Sequence, residues 1–298
     1  MWGRHHVGQM VGVIDVGSNT VRLVVAHGGR QVLSEREMLH LGADVELHGA
    51  IPAAKLEATV RLVGSYAADA RAAGAIEIDV LITSPGRQAA NGDELLAALA
   101  SATGCPTRIL SAAEEAQLGF IGAVAVAAPP ARRRVAVIDV GGGSAQVVVG
   151  TRRDGPEWLR SIDLGSQRLT SRLLRSNPPG EAAIGAARAE AAGYLHDFEP
   201  PEPRLALAVG GSARALKRIA GSRLGSDELE DALALLAVTP AAEIVERFGI
   251  DADRVDTLAG GAAILTELQA RLARPLRVVR GGVREGALLE LEERRAAA

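Results

Sequence analysis

Two segments of the chain carry residues suited to binding phosphate. Residues 11–25 read VGVIDVGSNTVRLVV and residues 135–149 read VAVIDVGGGSAQVVV, and aligned without gaps they agree at 8 of 15 positions. In each segment an apolar run ends in an aspartate, Asp15 or Asp139, and a turn of small residues leads to a second apolar run. This pattern predicts a β-hairpin with a glycine-bearing turn. Its duplication favours two domains of like topology.

The two turns indicate an anion site, because backbone N–H groups in such turns can converge on a phosphate and hydroxyl groups add further donors. The candidate phosphate-binding residues are Gly17, Ser18, Asn19, Thr20, Gly141, Gly142, Gly143 and Ser144. A carboxylate beside a phosphate requires a cation between the two, and Mg²⁺ suits that ligand set. Asp15 and Asp139 are therefore candidate metal ligands. The alternative is a pair of ordinary hairpin turns, which the duplication disfavours.

Candidate catalytic groups lie between the two hairpins. Glu114 and Glu115 begin a helix predicted from about residue 113 to 126, after an S-A-A-E capping box. Neighbouring side chains on a helix point about 100° apart, so at most one of the two faces a given site. That carboxylate would deprotonate an attacking water; the alternative is a pair of solvated acids favoured by the helix dipole. Arg87, in a loop after a buried strand, is either a phosphoryl clamp or a surface charge.

A third glycine-bearing turn opens another predicted helix. Gly210, Gly211 and Ser212 follow the strand LALAV, and a helix N-terminus is a natural contact for an anion. Two neighbouring glycines are weak evidence by themselves. Six arginines nearby in the sequence favour either solvated edges or a basic track for a polyanion: Arg132, Arg133, Arg134, Arg168, Arg172 and Arg175.

Composition excludes several classes of protein. The 298 residues carry a net charge of −3, which argues against a general binder of nucleic acid or membranes. Aromatic residues make up 2%, too few for a platform that stacks single-stranded bases. A single cysteine, Cys105, excludes an intrachain disulfide and a thiolate metal cluster. Since no apolar run suits a signal peptide or a membrane span, we expect a cytoplasmic protein without nucleic-acid or membrane partners.

Strand and helix patterns alternate through both halves, which predicts an α/β fold. The stretch AAPPARRR is the best candidate linker and predicts domains at 1–128 and 129–298. A closing helix at about 284–295 is assigned to the second domain, with packing on the first as the alternative.

Taken in order, these motifs resemble the exopolyphosphatase / guanosine-pentaphosphate phosphohydrolase (Ppx/GppA) family of the actin–sugar kinase–Hsp70 superfamily. IDVGSNTVRL and IDVGGGSAQVVVG resemble the family's two phosphate motifs, and EEAQLGFIGA resembles the segment with its catalytic glutamate. DLGSQRLT, VGGSA, AGGAAIL and GVREGALL follow as further blocks, so the resemblance covers residues 11–291. It implies two actin-like (ribonuclease H-like) α/β domains flanking a central cleft that holds the active site, and a homodimer.

The resemblance also implies a reaction, the Mg²⁺-dependent hydrolysis of a terminal phosphoanhydride bond. Orthophosphate would be released from inorganic polyphosphate or from guanosine pentaphosphate (pppGpp). Glu115 would activate water, while Arg87 and the glycine-bearing turns would hold phosphoryl oxygens. Gln146 stands where the family's second motif, usually GGGSTE, has a glutamate. The implied metal ligands are therefore Asp15, Asp139 and an uncharged Gln146.

Two features leave alternatives open. Longer family members continue into helical domains beyond the REG block, and the lack of these in the 298 residues favours short-chain polyphosphate or a nucleotide. A phosphotransferase is a second hypothesis, because sugar kinases share these hairpins; it predicts transfer to ADP or a sugar. A non-catalytic sensor of a nucleotide or alarmone is a third, which Gln146 favours; it predicts binding without turnover.

Overall fold

The computed structural model describes residues 9–297, which its internal packing divides into two units. Unit 1 comprises the chain up to Leu118 together with the residues from Arg284 onward, and unit 2 comprises Gly119–Val283. The predicted domain boundary, between residues 128 and 129, lies in the proline-containing linker. The packing instead divides the chain inside a helix about ten residues earlier. Residues 1–8 and 298, with which the predicted domains begin and end, lie outside the described residues.

Unit 1 is built on a five-stranded sheet. Its elements in chain order are β1 (Met10–Val16), β2 (Thr20–His27), β3 (Arg30–Met38), α1 (Leu41–His48), α2 (Ala53–Ala72), β4 (Ala75–Ile82), α3 (Ser84–Gln88), α4 (Gly92–Thr103), β5 (Thr107–Ile109) and the first part of α5 (Ala112–Ala127). The strand order is β3-β2-β1-β4-β5. β1 pairs with β2 in antiparallel fashion and with β4 in parallel fashion, which confirms the first predicted hairpin.

Unit 2 repeats this arrangement. Its elements after α5 are β6 (Val135–Val140), β7 (Ala145–Thr151), β8 (Gly155–Ile162), α6 (Ser166–Leu173), α7 (Glu181–Gly193), β9 (Leu205–Val209), α8 (Gly210–Ala220), β10 (Arg223–Leu224), α9 (Ser226–Val238), α10 (Ala241–Phe248), α11 (Ala252–Val255), α12 (Leu258–Leu272) and β11 (Leu276–Val278). The sheet order is β10-β11-β9-β6-β7-β8, so β8-β7-β6-β9-β11 matches the order of unit 1. The predicted α/β class and the predicted like topology of two domains are confirmed.

Small residues allow the helices of unit 2 to pack closely. Nearly all of α12 is buried, including Gly260 and Gly261. A β-carbon on Gly260 would lie 2.7 Å from the carbonyl oxygen of Ser166 at the start of α6. An alanine- and glycine-rich core therefore compensates for the scarcity of aromatic residues with close backbone approach. Within residues 9–297, no helix combines the length and the apolar character needed to cross a membrane.

The segment after β4 departs from the sequence prediction. Residues 83–87 were expected to form a loop, and the structure shows that Ser84–Gln88 form a short helix, α3. Pro85 lies in its first turn, where the missing N–H of proline has no helical partner to lose. A helix of five residues is too short to show an apolar periodicity in the sequence. The short helices α1 and α11 and the two-residue strand β10 were likewise not predicted.

The closing helix, α13 (Val283–Ala297), returns to unit 1. Ion pairs among the described residues hold it there, including Arg284–Asp15 at 2.9 Å, Arg108–Glu290 at 3.2 Å, Arg294–Asp79 at 2.6 Å and Arg295–Glu77 at 2.9 Å. Gly286 lies directly against the carbonyl group of Leu118, where a β-carbon would overlap backbone atoms. Charge pairing and a glycine contact thus fix this helix on the sheet that holds the first hairpin.

Asp79 makes the attachment of α13 dependent on pH. Burial raises the pKa of Asp79, and the neighbouring Arg294 partly offsets that rise. Because the pKa of Asp79 is raised in the folded state, ionisation of Asp79 lowers the free energy of unfolding. This loss grows as the pH rises through the folded-state pKa and is absent at pH values where Asp79 is protonated in both the folded and the unfolded state.

We expect Arg294→Ala to lower the free energy of unfolding by about 1–2 kcal/mol at pH 7, since half-exposed Arg294 is screened by water. The loss should shrink towards pH 4, as protonated Asp79 no longer requires a cation. Denaturant unfolding at several pH values measures this. Asp79→Asn in the same background should restore stability at pH 7, and a loss independent of pH would contradict the assignment.

Candidate functional site

Each of the two hairpin turns is closed by an equivalent backbone hydrogen bond. The N–H of Gly17 donates to the carbonyl oxygen of Thr20 at 3.0 Å, and the N–H of Gly141 donates to that of Ser144 at 2.9 Å. A β-carbon on either glycine would lie 3.0–3.2 Å from the same carbonyl oxygen. Both turns therefore need a glycine at this position for close backbone approach. The sequence repeat is a repeat of backbone geometry.

In unit 1, neighbouring elements hold the first turn by its carbonyl and hydroxyl groups. The carbonyl oxygen of Ser18 accepts from the N–H of Gly42 at 2.7 Å, and its hydroxyl lies 2.6 Å from that of Ser84. The carbonyl oxygen of Asn19 accepts from the N–H groups of Leu39 and His40. The N–H groups of Ser18 and Asn19 have no hydrogen-bond partner within residues 9–297, which leaves them for an anion.

In unit 2, helix α6 holds the second turn in the same way. The carbonyl oxygen of Gly141 accepts from the N–H of Ser166 at 2.8 Å, and that of Gly142 accepts from the N–H of Gln167 at 2.9 Å. The N–H groups of Gly142 and Gly143 donate to nothing in the described part of the chain. Each unit therefore presents a turn with committed carbonyl oxygens and uncommitted N–H groups.

The third turn lies beside Asp139 in unit 2. Gly210 begins α8 with φ +86°, and a β-carbon there would overlap Oδ1 of Asp139. A β-carbon on Gly211 would lie 2.6 Å from the guanidinium carbon of Arg254. The hydroxyl of Ser212 is buried and has no hydrogen-bond partner among the described residues. The N-terminus of α8 thus joins a carboxylate, a guanidinium and a hydroxyl.

The two catalytic candidates of unit 1 are in direct contact. Nη1 of Arg87 lies 2.7 Å from Oε2 of Glu115 and donates to the carbonyl oxygen of Leu110 at 2.7 Å. Both charged side chains are largely buried, with 19% of Arg87 and 13% of Glu115 exposed. Nε and Nη2 of Arg87 make no hydrogen bond within residues 9–297 and keep a forked set of donors for an anion.

Glu114 has a different role from its neighbour. The carboxylate of Glu114 accepts from the N–H of Ser111 at 2.8 Å, and the hydroxyl of Ser111 accepts from the N–H of Glu114 at 3.1 Å. This reciprocal capping box at the start of α5 is the one that the sequence predicted. Hydrogen bonds from Ser111 lower the pKa of Glu114. Glu114 therefore stabilises the helix, and Glu115 is the carboxylate held by Arg87.

The predicted metal ligands already contact other protein groups. Oδ2 of Asp15 lies 2.9 Å from Nη1 of Arg284, so a guanidinium already neutralises this carboxylate. Gln146 lies opposite Asp139 across β6 and β7, and its amide nitrogen donates to the hydroxyl of Ser144 at 2.9 Å. No group of three or more metal-ligating His, Cys, Asp or Glu side chains occurs in the described residues. Carboxylate and amide oxygens, together with phosphate and water, are the kind of ligand that Mg²⁺ prefers.

Two arginines beside the predicted residues, Arg284 in unit 1 and Arg254 in unit 2, were not predicted. Arg284 lies in the GVREGALL block, from which no residue was assigned a role, and its partner Asp15 is 269 residues away in the chain. Arg254 lies on the four-residue helix α11, where no motif marks it. Composition could not reveal either one, because only the folded chain brings them to Asp15 and Gly211.

Comparison with known proteins places this geometry in a family. The profile of the Ppx/GppA phosphatase family matches residues 20–295. The chain belongs to the Ppx/GppA phosphatase family. The match includes the second hairpin turn and the Arg87–Glu115 pair and begins at Thr20, the last residue of the first turn. This Ppx/GppA chain is a phosphatase-type enzyme, as the sequence predicted.

Individual Ppx/GppA proteins are similar over nearly the whole chain. Exopolyphosphatase 1 of Mycobacterium leprae is 28% identical over 301 residues, covering 94% of this chain and 88% of that protein. An exopolyphosphatase-like crystal structure is similar with a TM-score of 0.86 and 23% identity, covering 96% of this chain and 99% of the other. The Aquifex aeolicus Ppx/GppA family member gives 0.81 and 22%, covering 96% and 98%. The two structures share the fold with this chain.

The contact between Gly210 and Asp139 can be tested with a matched pair of alanine substitutions. Gly210 and Gly221 lie at the two ends of α8 with φ +86° and +88°, but a β-carbon on Gly221 meets nothing within 4 Å. Both Gly210→Ala and Gly221→Ala should lower the free energy of unfolding by about 1–2 kcal/mol through backbone strain. Only Gly210→Ala should displace Asp139 and reduce phosphatase activity, measured as orthophosphate release from tripolyphosphate. Equal activity in the two variants would show that Asp139 is not needed.

Proposed function

We propose that this Ppx/GppA protein hydrolyses the terminal phosphoanhydride bond of short-chain inorganic polyphosphate and releases orthophosphate. The observation that carries the proposal is that only one nitrogen of the Arg87 guanidinium contacts Glu115. One nitrogen, Nη1, holds Glu115, while Nε and Nη2 have no partner within residues 9–297. A carboxylate for water thus sits beside donors for a phosphoryl group, as phosphoryl transfer to water requires.

Each residue has a defined part in the proposed reaction. The free donors of Arg87 bind oxygens of the terminal phosphoryl group and stabilise the charge that spreads over them. Glu115, oriented by Arg87, accepts a proton from the attacking water. In unit 1 the N–H groups of Ser18 and Asn19 are donors for phosphate oxygens, and in unit 2 those of Gly142 and Gly143 are.

The proposed cation is Mg²⁺, with Asp139 as its charged ligand and Gln146 as a neutral neighbour. Mg²⁺ would supply charge neutralisation on the bridging and terminal phosphate oxygens. In unit 1, Asp15 pairs with Arg284 and positions that arginine at the first turn. Because Gln146 contributes no charge, the protein should need a higher Mg²⁺ concentration than a site with a glutamate there.

Guanosine pentaphosphate is the alternative substrate, since it ends in the same phosphoanhydride bond. The names of similar proteins favour polyphosphate: the Mycobacterium leprae relative is called an exopolyphosphatase. We further propose a cytoplasmic homodimer, as the sequence led us to expect.

The test compares two adjacent glutamates of α5. Glu115→Gln should slow orthophosphate release from tripolyphosphate and from pppGpp by about 10²–10⁴-fold, the usual contribution of a general base. Glu114→Gln should keep the wild-type rate and lose about 1 kcal/mol of unfolding free energy, because it weakens the capping box. The ratio of the two wild-type rates identifies the preferred substrate.

Binding without hydrolysis would indicate that Gln146 has disabled the site. If the wild-type protein binds both compounds with Mg²⁺ and releases phosphate from neither, the hydrolase proposal is wrong. The sensor hypothesis would then replace it.

A further inference from the structure

An open cavity in unit 2 is lined by arginines, most of which are exposed. It has a volume of about 620 Å³ and lies where β9 begins and where β10 and β11 pair. Four arginines line it, Arg204, Arg223, Arg274 and Arg277, and its other lining residues are uncharged. The glycine-bearing turn of the candidate site follows the opposite end of β9, five residues further along the strand, about 16 Å away. The cavity is therefore separate from that turn.

Two arginines of this cavity carry like charges at neighbouring positions. Arg223 and Arg277 lie directly opposite each other in the antiparallel β10–β11 pair. Side chains at such positions are close neighbours on one face, and like charges there are destabilising. Arg274 is paired with Glu202 at 2.7 Å. The side chains of Arg204, Arg223 and Arg277 have no ion pair or hydrogen bond in the described part of the chain.

Several other arginines of unit 2 are paired with carboxylates. Three of those considered for a basic track in the sequence form ion pairs: Arg134–Glu157, Arg168–Asp163 and Arg172–Glu190. These pairs disfavour the predicted track. The cavity, in contrast, brings four arginines together, and its lining residues include the hydroxyl-bearing Ser222 and no carboxylate.

We propose that this cavity binds a small phosphoanhydride anion of the triphosphate type. Guanidinium groups present forked donors that match phosphate oxygens. A volume of about 620 Å³ lies within the range of small-molecule sites. An anion with several charges would turn the repulsion between Arg223 and Arg277 into bridged contacts. The inference uses the proposed function only in choosing the probe, because the arginines themselves specify a polyanion.

The experiment counts bound ligands in a protein that does not turn them over. Tripolyphosphate is titrated by calorimetry into Glu115→Gln protein without Mg²⁺, and guanosine triphosphate is titrated in parallel. Adding Arg223→Gln and Arg277→Gln should remove one equivalent of binding, or weaken it at least about tenfold, because charge-assisted hydrogen bonds are lost. Adding Arg152→Gln, which removes an exposed positive charge of unit 2 outside the cavity, should leave binding unchanged. A loss seen with only one probe identifies the source of the triphosphate group.

Thermal unfolding supplies a second readout that does not depend on activity. At low salt without phosphate, the Arg223→Gln and Arg277→Gln double variant should melt no lower than its parent, because repulsion has been removed. Tripolyphosphate should then raise the melting temperature of the parent more than that of the variant. Unchanged binding stoichiometry and affinity for both probes in the double variant, or a lower melting temperature without ligand, overturns the proposal. Since no step requires hydrolysis, this result is independent of whether the proposed function holds.

Discussion

A buried carboxylate needs a cationic partner, and this requirement organises unit 1. Asp15, Asp79 and Glu115 are each largely buried, and each is paired with an arginine from another element. An unpaired charge in such a position is strongly unfavourable, so each pair restricts how its two elements pack. Two of the arginines come from α13, which explains why the end of the chain belongs with its beginning. The third, Arg87, fixes the start of α5 against α3.

A second constraint is that phosphate must be bound by a chain with a net charge of −3. Positive potential therefore has to be local, and the structure supplies it in two forms. The duplicated turns commit their carbonyl oxygens to neighbouring helices or strand ends and leave N–H groups uncommitted. Partly buried arginines then add full charges beside these turns, with Arg254 at α8 and Arg284 at Asp15. The same division, with backbone donors at one place and guanidinium groups at another, recurs in both units.

The sequence predicted what is local and missed what is distant. The hairpins were predictable because apolar runs and a glycine turn are contiguous, and the capping box of α5 was predictable because Ser111 and Glu114 are three residues apart. Arg284 and Arg254 were not, since their partners are distant in sequence or carry no motif. The domain boundary was predicted from proline-rich composition at 127–134, but α5 belongs to both units because packing, not linker composition, decides where a helix lies. Short elements such as α3 leave no periodic signal at all.

The central claim is that water, activated by Glu115, attacks the terminal phosphorus atom. Hydrolysis of tripolyphosphate in ¹⁸O-labelled water, with ADP present and the products analysed by mass spectrometry, tests it most directly. We predict that each released orthophosphate carries one ¹⁸O atom and that no ATP forms. Unlabelled orthophosphate would place the attack on the neighbouring phosphorus atom, and label-free transfer to ADP would make the protein a phosphotransferase. Either result would contradict the account.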